Sequence, residues 1–149
     1  MSTAQQTQTS YHPISYRSID GLNSLMDQVN DRIRRKAFEY YVERGAIDGR
    51  DMDDWLRAER ALVQRPDSGV SRVNDSFVIE IDLPETNPED ILLFVGPHEI
   101  CAATNPDRQG TQVLRVIQLP EPIETHNVEA ELADGNLRIT ATISQSDAR

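Results

Sequence analysis

The chain has 149 residues, a net charge of -10, 38% hydrophobic and 5% aromatic residues, and a mean hydropathy of -0.55. That length holds one ordinary domain or two small ones, and no run approaches the roughly 20 apolar residues that span a bilayer. The N-terminus carries neither the basic nor the apolar region of a secretory signal, and a single cysteine, Cys101, excludes an internal disulfide and fits the reducing cytoplasm.

Residues 1–18 are polar and aperiodic, which predicts a disordered tail, with Tyr11, Ile14 and Tyr16 as apolar exceptions able to dock. From Leu22 the period becomes helical: Leu22, Leu25, Met26, Val29, Ile33, Ala37, Tyr40 and Tyr41 share one face. Gly45 suits the C′ position, where a left-handed residue ends a helix. A second helix is expected from Asp51 as its cap, with Trp55, Ala58 and Leu62 as a stripe widened by Met52, Leu56 and Val63, and Pro66 as its end. The short connection makes these helices an antiparallel hairpin over 19–65, with Trp55 as the plug between them.

Residues 66–70 read as a linker, after which the period changes to two. Phe77, Ile79, Ile81 and Leu83 alternate with Val78, Glu80 and Asp82 up to Pro84. Strands follow at Ile91–Val95, Ile100–Thr104, Val113–Leu119, Val128–Leu132 and Leu137–Ile143. Asp134-Gly135 joins the last two, the signature of a type I′ turn that needs positive φ at both positions. The fold class is α plus β: a helical hairpin, then an all-β, immunoglobulin-like antiparallel sandwich over 71–144 with a short tail at 145–149.

Four ordered segments of that sandwich resemble the α-crystallin domain of small heat-shock proteins. They are Phe77–Pro84, then Pro88-Glu-Asp-Ile91 leading into Leu93-x-Val95, then Arg115-x-Ile117-x-Leu119-Pro120, and the corner Ala130-x-x-x-x-Gly135-x-Leu137 with Asn136 where the family has Val. The resemblance implies dimerisation and ATP-independent holding of unfolding proteins. Only Asn105–Gln112 separates two strands between which bacterial and plant members carry a long exchanged arm, and Ser144–Arg149 lacks the family's Ile-x-Ile/Val tag. Small oligomers are therefore expected rather than large cages. The segments Ile33–Gly45 and Gly49–Glu59 resemble a bacterial helical domain of unknown function, which carries no activity across and favours a bacterial source.

The charge bears on partners. From Asp20 to Arg65 nine cations face ten acids, whereas from Pro66 onward five Arg face fifteen acids, so the sandwich carries the excess. Phosphate binding needs clustered cations, and the run Arg32, Arg34, Arg35, Lys36, interleaved with Asp31, Glu39 and Glu43, reads as a solvated helix face. Neither nucleic acid nor membrane is an expected partner. Cys101 among Ile100, Ala102 and Ala103 reads as a buried strand residue, without a cation to activate it. His12, His98 and His126 lack metal-ligand spacing, and Asp53-Asp54 and Glu89-Asp90 point apart. No nucleotide-binding or nucleophile-elbow motif occurs, so neither an enzyme nor a cofactor is expected.

What remains is a surface for unfolded or partly folded proteins. A sandwich leaves edge strands with free N–H and C=O groups, and Ile91, Leu93, Val95, Val128 and Leu132 either flank a client groove or fill the core. Phe38, Tyr40, Tyr41 and Trp55 are candidates for a second surface on the hairpin, for clients or for assembly. The sequence thus points to a stress-response chaperone forming a homodimer or small oligomer, with a non-enzymatic adaptor or scaffold as the rival.

Overall fold

The computed structural model describes residues 11–145; residues 1–10 and 146–149, parts of the tails expected over 1–18 and 145–149, lie outside the described residues. In chain order the elements are β1 (His12–Pro13), β2 (Arg17–Ser18), α1 (Leu22–Glu43), α2 (Asp51–Leu62), β3 (Val63–Gln64), β4 (Ser68–Val73), β5 (Ser76–Asp82), β6 (Ile91–Val95), β7 (Glu99–Thr104), β8 (Gln112–Gln118), β9 (Ile123–Ala133) and β10 (Asn136–Ile143). Two five-stranded sheets stack, one in the order β1-β9-β10-β5-β4 and the other β2-β6-β7-β8-β3. The long ladders are antiparallel, as alternation and tight turns require. Two short pairings, β2 with β6 and β3 with β8, are parallel, because both strands arrive from outside the sandwich rather than through a hairpin.

The inward residues of both sheets make the main core, with Ile79, Ile81, Leu83, Leu93, Ile100, Leu137 and Ile139 buried at its centre. The corner forms as its residues demand. Asp134 and Gly135 take φ of 52° and 78°, and the Leu83 N–H donates to the Gly135 carbonyl at 2.7 Å. A Cβ on Gly135 would stand 3.3 Å from Pro84 Cα, a tight contact that adds to the strain of a side chain at this positive φ. Leu137 pairs with Leu132 and Ile139 with Ala130 across the same hairpin, all four inside the core.

The hairpin does not stand apart from the sandwich. Leu25, Val29, Ile33, Tyr40, Ala58 and Leu62 bury themselves against Phe94, Cys101, Ala103 and Leu114, the outward residues of β6, β7 and β8. The helices therefore form a third layer over one sheet. This corrects the role expected of Trp55: Ala58 and Leu62 occupy the centre of α2, and Trp55 is partly buried at the margin. Met52 and Leu56, expected to widen the stripe, face outward because the sheet, and not only α1, sets which face of α2 is covered. The linker expected at 66–70 is also corrected. Its last three residues open β4, which pairs with β5 from Ser68 opposite Ile81 to Val73 opposite Ser76.

Helix ends follow backbone rules. Gly45 lies at φ 87°, with its N–H donating to the Val42 carbonyl and that of Ala46 to the Tyr41 carbonyl, a Schellman closure. Asp51 is the first residue of α2 rather than its cap; Arg50 precedes it without a side-chain cap bond. Asp54 turns inward instead. It accepts from Arg44 Nε at 3.1 and 3.2 Å and from Nη2 at 2.7 Å, which ties the two helices together across their connection. The Arg44 bond lowers the Asp54 carboxyl from its ordinary value.

Candidate functional site

Two of the four lateral edges of the sandwich, those of β6 and β9, lie side by side and flank a groove. The chain's own residues 11–18 fill it, which corrects the expectation of a tail through residue 18. β1 pairs antiparallel with β9, placing His12 opposite Leu132 and Pro13 opposite Glu131, and β2 pairs parallel with β6, placing Arg17 opposite Phe94 and Ser18 opposite Val95. Between them the Ile14 N–H donates to the Ala130 carbonyl at 2.9 Å, and Tyr16 Oη donates to the Thr125 carbonyl at 3.0 Å. Ile14 is only 8% exposed and belongs to the main core, while Tyr16 packs partly against it. Pro13 sits where the ladder alternation asks no N–H of it, next to the hydrogen-bonded Ile14–Ala130 pair.

The five groove candidates from the sequence, Ile91, Leu93, Val95, Val128 and Leu132, are brought together here. All five are buried in the same cluster as Ile14. Their alternation was legible, but Ile14 and Tyr16 left only a single step of period two in a polar stretch, too little to identify a strand. Ala130, expected as part of the corner, has a further place: its small side chain lies opposite Ile14, where a larger one would compete for the same space. An open cleft of about 650 Å³ runs beside the segment, lined by Pro13, Ile14, Tyr16, Val128, Glu129 and Glu131.

The other lateral side is different. Among the described residues β4 has β5 on one flank and no strand on the other, and β3 covers β8 only at Gln112 and Val113. Val70 and Val73 of β4 and Val116 of β8 are exposed. Arg115 Nε donates to Ser68 Oγ at 3.1 Å, and Arg72 pairs with Glu121 at 2.6 Å, so polar side chains bridge this mouth of the sandwich.

On the hairpin, the four aromatic candidates part company. Phe38 is 62% exposed and Tyr41 half-buried beside it, ring centres 5.9 Å apart. Tyr40 is buried, a correction to its place among surface candidates: it belongs to the cluster under the helices, and the Arg57 guanidinium of α2 lies 3.7 Å from its ring centre. Trp55 is half-buried. The exposed apolar residues of the hairpin are Phe38 and Val42 on α1, Met52 and Leu56 on α2, and Ile47 between them.

The remaining candidates hold no reactive geometry. Cys101 is a buried strand residue, as expected, and burial pushes its thiol up to about 12. His12, His98 and His126 are exposed, and among the described residues no group of three or more His, Cys, Asp or Glu is placed to hold a metal ion. Asp53 faces Arg50 and Asp54 faces Arg44, while Asp90 accepts from Asn105. Of the basic run, Arg34 and Arg35 pair with Asp31, and Lys36 with Glu39, on a solvated face. Arg32 departs from it: Arg32 Nη1 donates to Gln112 Oε1, while Gln112 Nε2 donates to the Thr104 carbonyl at 2.8 Å, so this arginine joins α1 to the β7–β8 connection.

Residues 70–149 match the model of the Hsp20/alpha crystallin family, and residues 28–64 match that of a protein family of unknown function, DUF2934. No curated protein matches the chain. Heat shock protein 16.0 from Schizosaccharomyces pombe is similar in structure over 69% of this chain and 92% of its own, with a TM-score of 0.51 and 14% identity. The hspA protein from Xanthomonas axonopodis is similar over 56% of this chain and 98% of its own, with a TM-score of 0.50 and 16% identity. At such identities the likeness is one of fold.

Proposed function

Because the chain belongs to the Hsp20/alpha crystallin family, whose model spans more than half its length, we propose that it is an ATP-independent chaperone that holds unfolding polypeptides by their extended segments. The observation that carries this reading is what the groove already contains. Residues 11–18 are held between β6 and β9 by backbone bonds, one aliphatic side chain and one tyrosine hydroxyl. Recognition of that kind asks little of a ligand's sequence: main-chain pairing supplies affinity, and alternate pockets accept apolar side chains. Burying them returns about 25 cal/mol per Å², weak per contact and tolerant of substitution.

The open edge of β4 supports a second point of contact, for a client strand or for a second copy in a small homo-oligomer. A lone buried thiol suits the cytoplasm. Among the described residues no helix is long and apolar enough to cross a membrane. The test is light scattering from a thermally unfolding model client, without nucleotide, at one protein per client. Suppressed aggregation supports the chaperone. Unchanged scattering favours the adaptor, for which the exposed Phe38, Val42, Ile47, Met52 and Leu56 of the hairpin are the observation in support.

A further inference from the structure

We propose that the free edge of β4 pairs antiparallel with β4 of a second copy of this chain, Val70 opposite the partner subunit's Val70, so that two sandwiches join edge to edge. This rests on the small-oligomer part of the proposed function and names the occupant and register of that edge. Exposed edges are ordinarily blunted by charge. Here the single charged side chain of Ser68-Gly-Val-Ser-Arg-Val73 is drawn aside: Arg72 Nη1 donates to Glu121 Oε2 at 2.6 Å. Ser68 is likewise held, its Oγ accepting from Arg115 Nε at 3.1 Å. Both side chains turn toward β8 and the connection after it, and the backbone of β4 is left open beside a 41% exposed Val70.

The ladder to β5 decides which groups that edge offers. The Asp82 N–H donates to the Asp67 carbonyl, and the register runs on from Ser68 opposite Ile81 to Val73 opposite Ser76. Hydrogen bonding alternates along an antiparallel pair, so Gly69, Ser71 and Val73 bond to β5 while Ser68, Val70 and Arg72 turn their N–H and C=O groups outward. A two-fold pairing centred on Val70 sets Ser68 against the partner's Arg72 and Arg72 against the partner's Ser68. Every outward group then has a complement. Centred on Gly69 or Ser71, the pairing leaves Arg72 or Ser68 overhanging the strand end; centred on Arg72, it sets like charges opposite each other. Val70 lies opposite Ile79, on the inward side of the strand, so its meeting with the partner's Val70 continues an apolar row of the core.

Charge favours this edge over the opposite side. From Pro66 onward five Arg face fifteen acids, yet β4 holds no acid, whereas β9 carries Glu124, Glu129 and Glu131. Two copies of net charge -10 meet least repulsion where their β4 strands approach. The strand order places β9 at the far end of each joined sheet, so the pairing leaves that side of both copies unobstructed.

The experiment reads mass and cross-linking in the full chain. Sedimentation equilibrium is expected to show a monomer–dimer equilibrium in the micromolar range. Val70→Pro removes an N–H that faces the free edge and none that serves β5, and should weaken the dimer about tenfold or more, with circular dichroism confirming the fold. Val70→Cys gives an independent reading should that variant misfold. Opposed Cα atoms in a hydrogen-bonded pair stand about 5.5 Å apart, within disulfide range, so mild oxidation should link the copies. Val73→Cys should stay unlinked, its copy lying roughly 20 Å away across the centre, and Cys101 is buried. A monomer at every concentration, an undiminished Val70→Pro dimer, or equal linking through both cysteines would overturn the interface. Client protection plays no part in these readings: a dimer that fails to suppress aggregation keeps this interface and sinks only the chaperone reading.

Discussion

The two sheets present opposite kinds of outer face. That of β9-β10-β5-β4 is bare and polar, built from residues such as Glu80, Asp82, Glu129, Arg138 and Thr140. That of β6-β7-β8 is apolar, built from Phe94, Cys101, Ala103 and Leu114, and lies under two helices. The contrast is written in the strands. Phe77-Val-Ile-Glu-Ile-Asp alternates, as a sheet wetted on one side must, whereas Ile91-Leu-Leu-Phe-Val95 and Ile100-Cys-Ala-Ala103 are apolar without interruption, as strands covered on both faces are. Cys101 and Ala103 are the small members of that covered face.

The most severe way to break this contrast is to make the covered face intolerable to its cover. Ile33→Asp places a carboxylate at a site only 2% exposed, between α1 and the sheet. A loss of about 3–5 kcal/mol is expected from the buried, unpaired group. Circular dichroism melts would measure it, and a thiol reagent would report faster labelling of Cys101 as the helices lift.

Less severe is a cavity beneath the helices. Leu114→Ala should cost about 2–4 kcal/mol, whereas Thr140→Ala on the bare sheet should stay within about 0.5 kcal/mol. Equal losses in urea titrations would erase the distinction between the faces. The corner belongs to neither face and sets an intermediate scale. Gly135→Ala forces a side chain into φ 78° against Pro84, with an expected loss of about 1–2 kcal/mol.

Titration sharpens the comparison further. The Cys101 thiol ionises near 9.0 in an unfolded chain but is held up to about 12 under the helices. Its unfolded form therefore releases a proton first as pH rises. The stability linked to it is complete below pH 9 and declines from there toward pH 12. A Cys101→Ala protein should show a flatter alkaline limb in denaturant titrations. At the other end, Asp54 is depressed by Arg44, so its share of stability is present above the ordinary carboxylate value and is lost as pH falls from there through the lowered value of the folded protein. The smallest effect belongs to the solvated face of α1. Arg35→Ala breaks an exposed pair with Asp31, and thermal melts should shift by the equivalent of about 0.5 kcal/mol or less.

What the sequence disclosed follows from how many core residues each element contributes. β5 to β10 each supply several alternating or continuous apolar residues, and their positions were legible to within a residue or two, save that β9 begins five residues earlier than its apolar run. The first half of β4 reads as a linker because Ser-Gly-Val-Ser-Arg-Val brings only two apolar residues to an edge, and β1 to β3 are too short to have a period at all. The packing of the hairpin on the sheet was visible in principle, in the unbroken runs of β6 and β7, though α1 and α2 read by themselves suggest a self-contained pair. Arg32 looked like its neighbours in the basic run; only the third dimension brings it to Gln112.

The tyrosine bond between residues 16 and 125 bridges 109 positions along the chain. Made before either partner strand, residues 11–18 can pair with β6 only once it has been synthesised, and with β9 later still. The helices and the β4–β5 hairpin acquire neighbours early, whereas the pairing of β1 with β9 closes a far longer loop. The groove between β6 and β9 is thus completed late, when β9 joins strands made long before it.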